Sequence, residues 1–401
     1  MSLGLGPSSN SVLETGLPKS KPPKRYWPSS RSPWLRGRKF KNGSAIPHPE
    51  SIFSQRGTGA ALQVQSKVMK TLVTGGAGYI GATTVQTLLD AGHQVLVFDN
   101  LSKGYADAIL PQVTLVRGDL GNREQIETVL HDYRPEAVLH FAASIEAGES
   151  MKVPEKYFRN NSASTLTLLE CMLANRIGKF IFSSTAALYG EPKRIPIQED
   201  DELKPTNAYG ESKLLVERML AWFHRIHGMR YASLRYFNAA GSNGHSGERH
   251  DPESHLIPIV LQAAAGLRDH VSIYGTDYST RDGTCVRDYI HVSDLADAHV
   301  LALEALDTSD KLIYNLGAGS GFTVREVIDS AKKVTGKPIK VVEAGRRPGD
   351  PAVLVASSER IRTELNWKPK YPGLDQIVSS AWEWMQAHPE LYAEPAGARR
   401  S

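Results

Sequence analysis

The chain has 401 residues, 41% of them hydrophobic and 22% charged, which suits a globular protein with a sizeable core and room for two domains. Its net charge of +4 is unevenly spread: ten of the 47 basic residues lie before Lys67, opposed there only by Glu14 and Glu50 of the 43 acidic ones. The remainder is slightly acidic, which argues against a nucleic-acid-binding surface. No run of 18 apolar residues occurs, so no membrane span is expected, and "HLIPIVLQAAAGL" reads as a core helix. Cys171 and Cys285 are far apart and fit neither a disulfide framework nor a metal spacing. They read as free thiols of a reducing compartment, so a cytoplasmic location and no metal site are expected.

In chain order, residues 1–66 come first, with Pro18, Pro22, Pro23, Pro28, Pro33, Pro47 and Pro49, many serines and no sustained periodicity. Such a segment buries too little apolar surface to offset its ordering entropy and is expected to be disordered. Its Arg/Ser-rich, acid-poor composition resembles an organellar transit segment, although the prolines interrupt any amphipathic helix. Translation from Met69 is a second reading.

After Met69 the runs "KTLVT", "QVLVFD", "VTLVRG", "AVLHFA", "KFIFSS" and "ASLRYF" alternate with helical stretches. Continuous apolar strands of this kind are buried on both faces, which predicts an α/β fold with a doubly wound parallel sheet. The first strand opens into "TGGAGYIG", with Gly75, Gly78 and Gly81 at a three-residue spacing. A tight turn feeding a helix N-terminus lets the backbone approach a pyrophosphate, a Rossmann-type arrangement. Asp99 closes the second strand, where a carboxylate accepts from both ribose hydroxyls and repels a 2′-phosphate. That favours NAD over NADP. Asp119, ending the next strand, suits an adenine contact.

Residues 241–283, rich in Gly, His, Asp and Pro, read as an irregular insertion over the sheet. Further on, Thr323 and Glu326 form a capping box. Val324, Val327, Ile328, Ala331 and Val334 make one apolar stripe, and Gly336 with Pro338 ends that helix. The expected division is 67–241 with 285–310 as the NAD-binding domain, and 242–284 with 311–395 as a smaller mixed α/β substrate domain.

The stretch "AYGESK" places Tyr209 one helical turn before Lys213, downstream of a strand ending in Thr185. A free phenol, with a pKa of about 10, is a poor base at neutral pH. A neighbouring ammonium stabilises the phenolate and lowers that value, so Tyr209 can take a proton from a substrate hydroxyl. Thr185 can hydrogen-bond the same substrate oxygen, and Lys213 can also hold the nicotinamide ribose. A glycine loop with Tyr-x-x-x-Lys downstream resembles the short-chain dehydrogenase/reductase superfamily.

The succession "TGGAGYIG", "FDNLSKG", "HFAASIEAGES", "SSTAALYGEP", "NAYGESK", "LRYFNAAGS", "DGTCVRDYIHV", "YNLGAG" and "RRPGD" resembles the UDP-glucose 4-epimerase family from Met69 to about Trp384. The resemblance implies that NAD lies against Tyr79, Ile80, Asp99, Asn100, Asp119, Leu120, Phe141, Ala142, Asn160, Lys213 and Phe237. It implies a UDP-sugar against Asn238, His255, Leu256, Arg287, Tyr289, Arg347 and Asp350. The two arginines offer guanidinium forks to a diphosphate, and Asp350 a ribose acceptor. A homodimer through the helix after Asn160 and the helix near Tyr209 is likewise implied.

His255 departs from the asparagine frequent in the family, and Leu354 is neither the bulky nor the small pocket-wall residue of its members. UDP-pentose and UDP-N-acetylhexosamine therefore remain alternative substrates. Ala186 and Ala187 follow Thr185 where dehydratases and decarboxylases of the superfamily carry an acid. Glu146 in "AASIEAGES" disfavours a carboxylate-bearing sugar. A non-catalytic NAD-binding sensor is the remaining alternative of a different class.

Overall fold

The computed structural model describes residues 67–347 and 350–393. The expectation for residues 1–66 lies outside them. The described chain begins with β1 (Lys70–Thr74), α1 (Tyr79–Asp90), β2 (Gln94–Asp99), β3 (Thr114–Arg117), α2 (Arg123–Tyr133) and β4 (Ala137–His140). Two short helices follow, α3 (Ala147–Ser150) and α4 (Pro154–Tyr157), and a wide π-helical stretch (Phe158–Ala163) leads into α5 (Ser164–Ala174). Next come β5 (Lys179–Thr185), α6 (Ala208–His227), β6 (Arg230–Tyr236), β7 (Asn238–Ala240), α7 (Leu256–Ala264) and β8 (Val271–Tyr274). The rest comprises β9 (Val286–Arg287), β10 (Tyr289–His291), α8 (Val292–Ala305), β11 (Lys311–Leu316), β12 (Phe322–Thr323) and α9 (Val324–Thr335). It ends with β13 (Val341–Ala344), β14 (Val353–Leu354), α10 (Glu359–Leu365), α11 (Leu374–Ala387) and a last short helix, α12 (Glu390–Ala393).

Seven parallel strands form one sheet in the order β11-β6-β5-β4-β1-β2-β3. The six strands read from the sequence are all in it, so the doubly wound α/β expectation holds. Side-chain alternation along each strand feeds two cores. Val73, Val97, Leu139, Ile181 and Leu234 pack with Val85 and Leu88 of α1 and Leu295 and Leu303 of α8 on one face. Leu72, Leu96, Phe98, Val138, Phe180 and Phe182 pack with α2, α5 and α6 on the other. The order of strand addition reverses between β1 and β4, the crevice where open sheets of this type take their ligands.

The segment Lys311–Leu316, expected in the smaller domain, is instead the edge strand of the large sheet, paired along its whole length with β6. The large sheet thus reaches past the expected boundary after residue 310. Its physical reason is that α8 packs beside α1 and returns the chain to the sheet. The smaller lobe uses α7, α9 and α11 around Val260, Leu261, Ile273, Val327, Ile328 and Ile377. Three short ladders accompany them: β7 with β10, β8 with β13, and β12-β9-β14. As expected, α9 is capped by a reciprocal Thr323–Glu326 box and stopped by Gly336 at φ 64°. Among the described residues no helix is long and apolar enough to cross a membrane.

Candidate active site

The glycine loop is shaped by close approach. Gly75 has φ 73°, and a Cβ there would sit 2.4 Å from the Ala142 nitrogen at the end of β4. On Gly81 a Cβ would lie 2.2 Å from the Gly75 carbonyl oxygen, so the first turn of α1 rests directly on the loop. Gly78 is the N-cap of α1 and offers no side chain there, leaving N–H groups to face a ligand. Asp99, 7% exposed, accepts from the Ala77 N–H at 3.0 Å and the Leu101 N–H at 2.8 Å, fixing the loop to β2. Burial pushes its carboxyl up from the usual range, and those two N–H groups pull it back. Asn100 donates to Asp119 at 2.7 Å. Asp119 also accepts from the Gly121 N–H at 2.7 Å, and Leu120 is buried beside them. This cradle of small residues, free N–H groups and a ribose-level carboxylate fits a dinucleotide.

On the other side of the crevice, Phe141 packs its ring 4.8 Å from His299, and both Phe141 and Ala142 donate their N–H to the Thr74 carbonyl. Asn160 lies in the π-helical stretch and donates to the Ser144 hydroxyl at 3.1 Å. Tyr79 donates to the Gly241 carbonyl at 2.6 Å, and Ile80 packs against the large-sheet core. Phe237 donates its N–H to Leu316 at 3.2 Å, just beyond β6.

The expected proton-handling residues come together. Thr185 ends β5, accepts the Ala187 N–H at 3.1 Å and acts on the nearby Tyr209 phenol. Tyr209 opens α6, whose N-cap Asn207 accepts the Gly210 N–H at 2.8 Å. The Tyr157 ring stands edge-on to it, 6.4 Å between centroids. Lys213, one turn on and 2% exposed, donates to the Ser183 carbonyl at 2.9 Å and lies 4.9 Å from the Phe182 ring centroid. Burial lowers its ammonium to about 7.

The phenol differs from the sequence expectation. Burial raises it, the Thr185 side chain opposes this, and the Glu146 charge raises it further. Lys213 is not among these causes, and its ammonium donates to the Ser183 carbonyl.

Toward the smaller lobe, Asn238 donates through its side chain to the Asp288 carbonyl at 2.9 Å. Arg287 on β9 forms an ion pair with Asp350, beside Leu354 on the paired strand β14. Arg347 stacks its guanidinium 3.8 Å over the Tyr274 ring. Leu256 begins α7 and packs on that lobe's core. Two of the implied substrate residues are engaged within the protein itself. Tyr289 is 5% exposed within the apolar core of the lobe. His255 is turned onto Glu248 and Glu253, each at 2.9 Å, and those carboxylates hold its imidazole well above the usual range against the effect of burial.

One group of site supports had no sequence signal. Arg235 on β6 and Glu217 on α6, 3% and 6% exposed, form a two-pronged ion pair with contacts of 3.0 and 2.6 Å. Glu217 also accepts the Ser184 hydroxyl at 2.6 Å, next to Thr185, so this pair locks α6 against β5. Glu217 follows Lys213 by one turn, and only that spacing could have pointed to it.

A sheet with a glycine cradle at its switch point and a Thr-Tyr-Lys set on the neighbouring strand and helix has many relatives. The family model described as "NAD dependent epimerase/dehydratase family" matches residues 71–317. A UDP-glucose 4-epimerase of Halalkalibacterium halodurans is 53% identical over 328 residues, covering 81% of this chain and 98% of its own length. The crystal structure of UDP-glucose 4-epimerase from Brucella ovis in complex with NAD is 44% identical, with TM-score 0.76, covering 78% of this chain and 97% of its own. That from Bifidobacterium longum in complex with NAD+ and UDP is 38% identical, with TM-score 0.77, covering 80% and 99%. By these matches and by the arrangement at its sheet edge, the chain belongs to the NAD-dependent epimerase/dehydratase family.

Proposed function

We propose that the protein is an NAD-dependent UDP-glucose 4-epimerase, inverting the 4-carbon of a UDP-hexose through a 4-keto sugar. The observation that carries this is the placement of the Tyr209 phenol by Thr185 at the end of β5, one helical turn from buried Lys213 and at the same sheet edge as the glycine cradle. NAD, when bound, supplies the acceptor and donor of the carbon-bound hydrogen. Gly75, Gly78 and Gly81 would receive its pyrophosphate, Asp99 its ribose, and Lys213 the nicotinamide ribose. Tyr209 takes the proton of the sugar 4-hydroxyl, steadied by Thr185, and later returns it to the 4-oxygen after the sugar has turned. Its raised affinity for a proton suits the return step. A positive charge on Lys213 and on the cofactor ring assists the first.

Arg287 and Arg347 would grip the diphosphate, with Asp350 orienting Arg287, so the anchor holds while the sugar turns. Ala186 and Ala187 leave no second acid after Thr185, which supports epimerisation over dehydration. Glu146, whose charge reaches Tyr209, disfavours a uronate. The relatives named above support a hexose over a pentose or an N-acetylhexosamine. We extend the reading to a cytoplasmic homodimer formed through α5 and α6. Leu166, Trp222 and Ile226, 37%, 59% and 64% exposed, are its apolar contacts. Purified protein given UDP-galactose without added NAD should form UDP-glucose. No conversion of any UDP-hexose or UDP-pentose would refute the reading.

A further inference from the structure

The loop from β7 to α7 gathers Glu248, His250, Glu253 and His255 in an E-x-H-x-x-E-x-H spacing. One donor atom from each side chain lies within 4.8 Å of all the others. His255 Nδ1 is 2.9 Å from both Glu248 Oε1 and Glu253 Oε1, and His250 Nδ1 is 3.2 Å from Glu248 Oε1. The two carboxylates are 6% and 3% exposed. One ring N–H on His255 cannot satisfy both of them. Glu253 Oε2 is buried without a hydrogen-bond partner, and His250 Nδ1, though 3.2 Å from Glu248 Oε1, is not in hydrogen-bond geometry with it. Buried polar atoms of this kind carry a desolvation cost that a ligand would remove.

We propose that Glu248, His250, Glu253 and His255 form a structural site for one divalent transition-metal ion of the zinc class. Two imidazoles and two carboxylates without a thiolate suit zinc and its first-row neighbours, whereas magnesium and calcium prefer all-oxygen shells. Tetrahedral zinc with bonds of about 2.1 Å sets its donors about 3.4 Å apart. Three of the measured separations are shorter than that and would open by a few tenths of an ångström, while the wider pairs, within 4.8 Å, would draw in around the ion. A 2+ ion also offsets the two carboxylate charges. The neighbouring cation, Arg249, is turned outward onto Asp107 and stacks 3.9 Å over the Tyr105 ring.

The position of the cluster gives the ion a task. The same loop receives Tyr79 at the Gly241 carbonyl (2.6 Å), Lys103 at the Asp251 carbonyl (2.6 Å) and Tyr105 at the Arg249 carbonyl (3.1 Å). Those partners belong to the start of α1 and to the loop after β2, which border the glycine cradle. An ion tying Glu248 and His250 to the N-terminus of α7 fastens this strap from within. It plays no part in proton transfer.

The test uses untagged full-length protein. Its metal content is measured as purified, then chelator-stripped protein is titrated with zinc chloride and, separately, cobalt chloride. One zinc per chain is expected, together with a visible cobalt spectrum of four-coordinate intensity. His250→Ala and Glu253→Gln should each weaken zinc about 100-fold or more. If those variants fail to fold, the cobalt spectrum of the parent decides. No saturable uptake by the parent, or undiminished uptake by both variants, would overturn the site in favour of a proton-bridged carboxylate–imidazole cluster. No substrate enters these measurements, so they stand apart from the epimerase reading.

Discussion

Asp99, Thr185 and Gly75 sit at strand ends of the large sheet, and their contacts run mostly to backbone. Arg287, Asp350 and Arg347, in the smaller lobe, are held by one another or by an aromatic ring. A group fixed to backbone cannot shift without disturbing a ladder, whereas a side-chain pair reorients at the cost of rotamer changes. The first half is thus suited to holding reacting atoms in register. The second is suited to gripping a diphosphate while the attached sugar turns over. The contrast teaches that rigidity and adaptability are assigned to different lobes.

Gly81→Ala attacks the rigid half most severely, since its Cβ would meet backbone at 2.2 Å. The variant should purify with no measurable NAD, and normal NAD content would break the comparison. Arg235→Met comes next. Removing one partner of a buried ion pair costs about 3–5 kcal/mol, to be read by urea unfolding. Arg235→Met/Glu217→Leu should regain much of that loss, because the stranded carboxylate is gone.

Asp350→Asn tests the adaptable half. Arg287 loses its ionic partner, so KM for UDP-galactose should rise about tenfold while kcat changes little. A fall in kcat alone would place Asp350 with the reacting groups instead.

The smallest effect concerns pH. Burial lowers His140 to about 3 and His299 to about 4, below the ordinary histidine value. The unfolded chain therefore binds protons first as pH falls below about 6.5, and stability drops by about 1.4 kcal/mol per pH unit for each such group. Asp288, lifted to about 6 by burial, works in the opposite sense between that value and its unfolded one. His140→Gln should make the acid limb shallower by one such increment, measured by unfolding between pH 6 and 4. An unchanged limb would show that His140 is not held neutral by the sheet.

The strands of the large sheet were legible because burial on both faces makes them continuous apolar runs. The capping box of α9 was legible because its chemistry is local. The pairing of β11 with β6 was not, since those strands lie some 75 residues apart and periodicity carries no partner information. β9, β12 and β14, of two residues each, are too short to show a period. At the site, Tyr209, Lys213 and Thr185 announce themselves by spacing and strand ends. The direction of the phenol's shift depends on its burial and the Glu146 charge, opposed by Thr185. These are properties of packing. The Glu217–Arg235 lock and the His–Glu loop cluster were hidden for a similar reason. One joins different elements, and the other sits in a loop without periodicity.

The central claim is that the Tyr209 phenol carries the sugar hydroxyl proton. Parent protein and Tyr209→Phe, matched for bound NAD by release on acid denaturation, should be compared for conversion of UDP-galactose at saturation. The account predicts a loss of about 10²–10⁴-fold in kcat for the variant, with UDP-galactose affinity nearly unchanged. A variant that turns over close to the parent rate, with equal NAD, would contradict it.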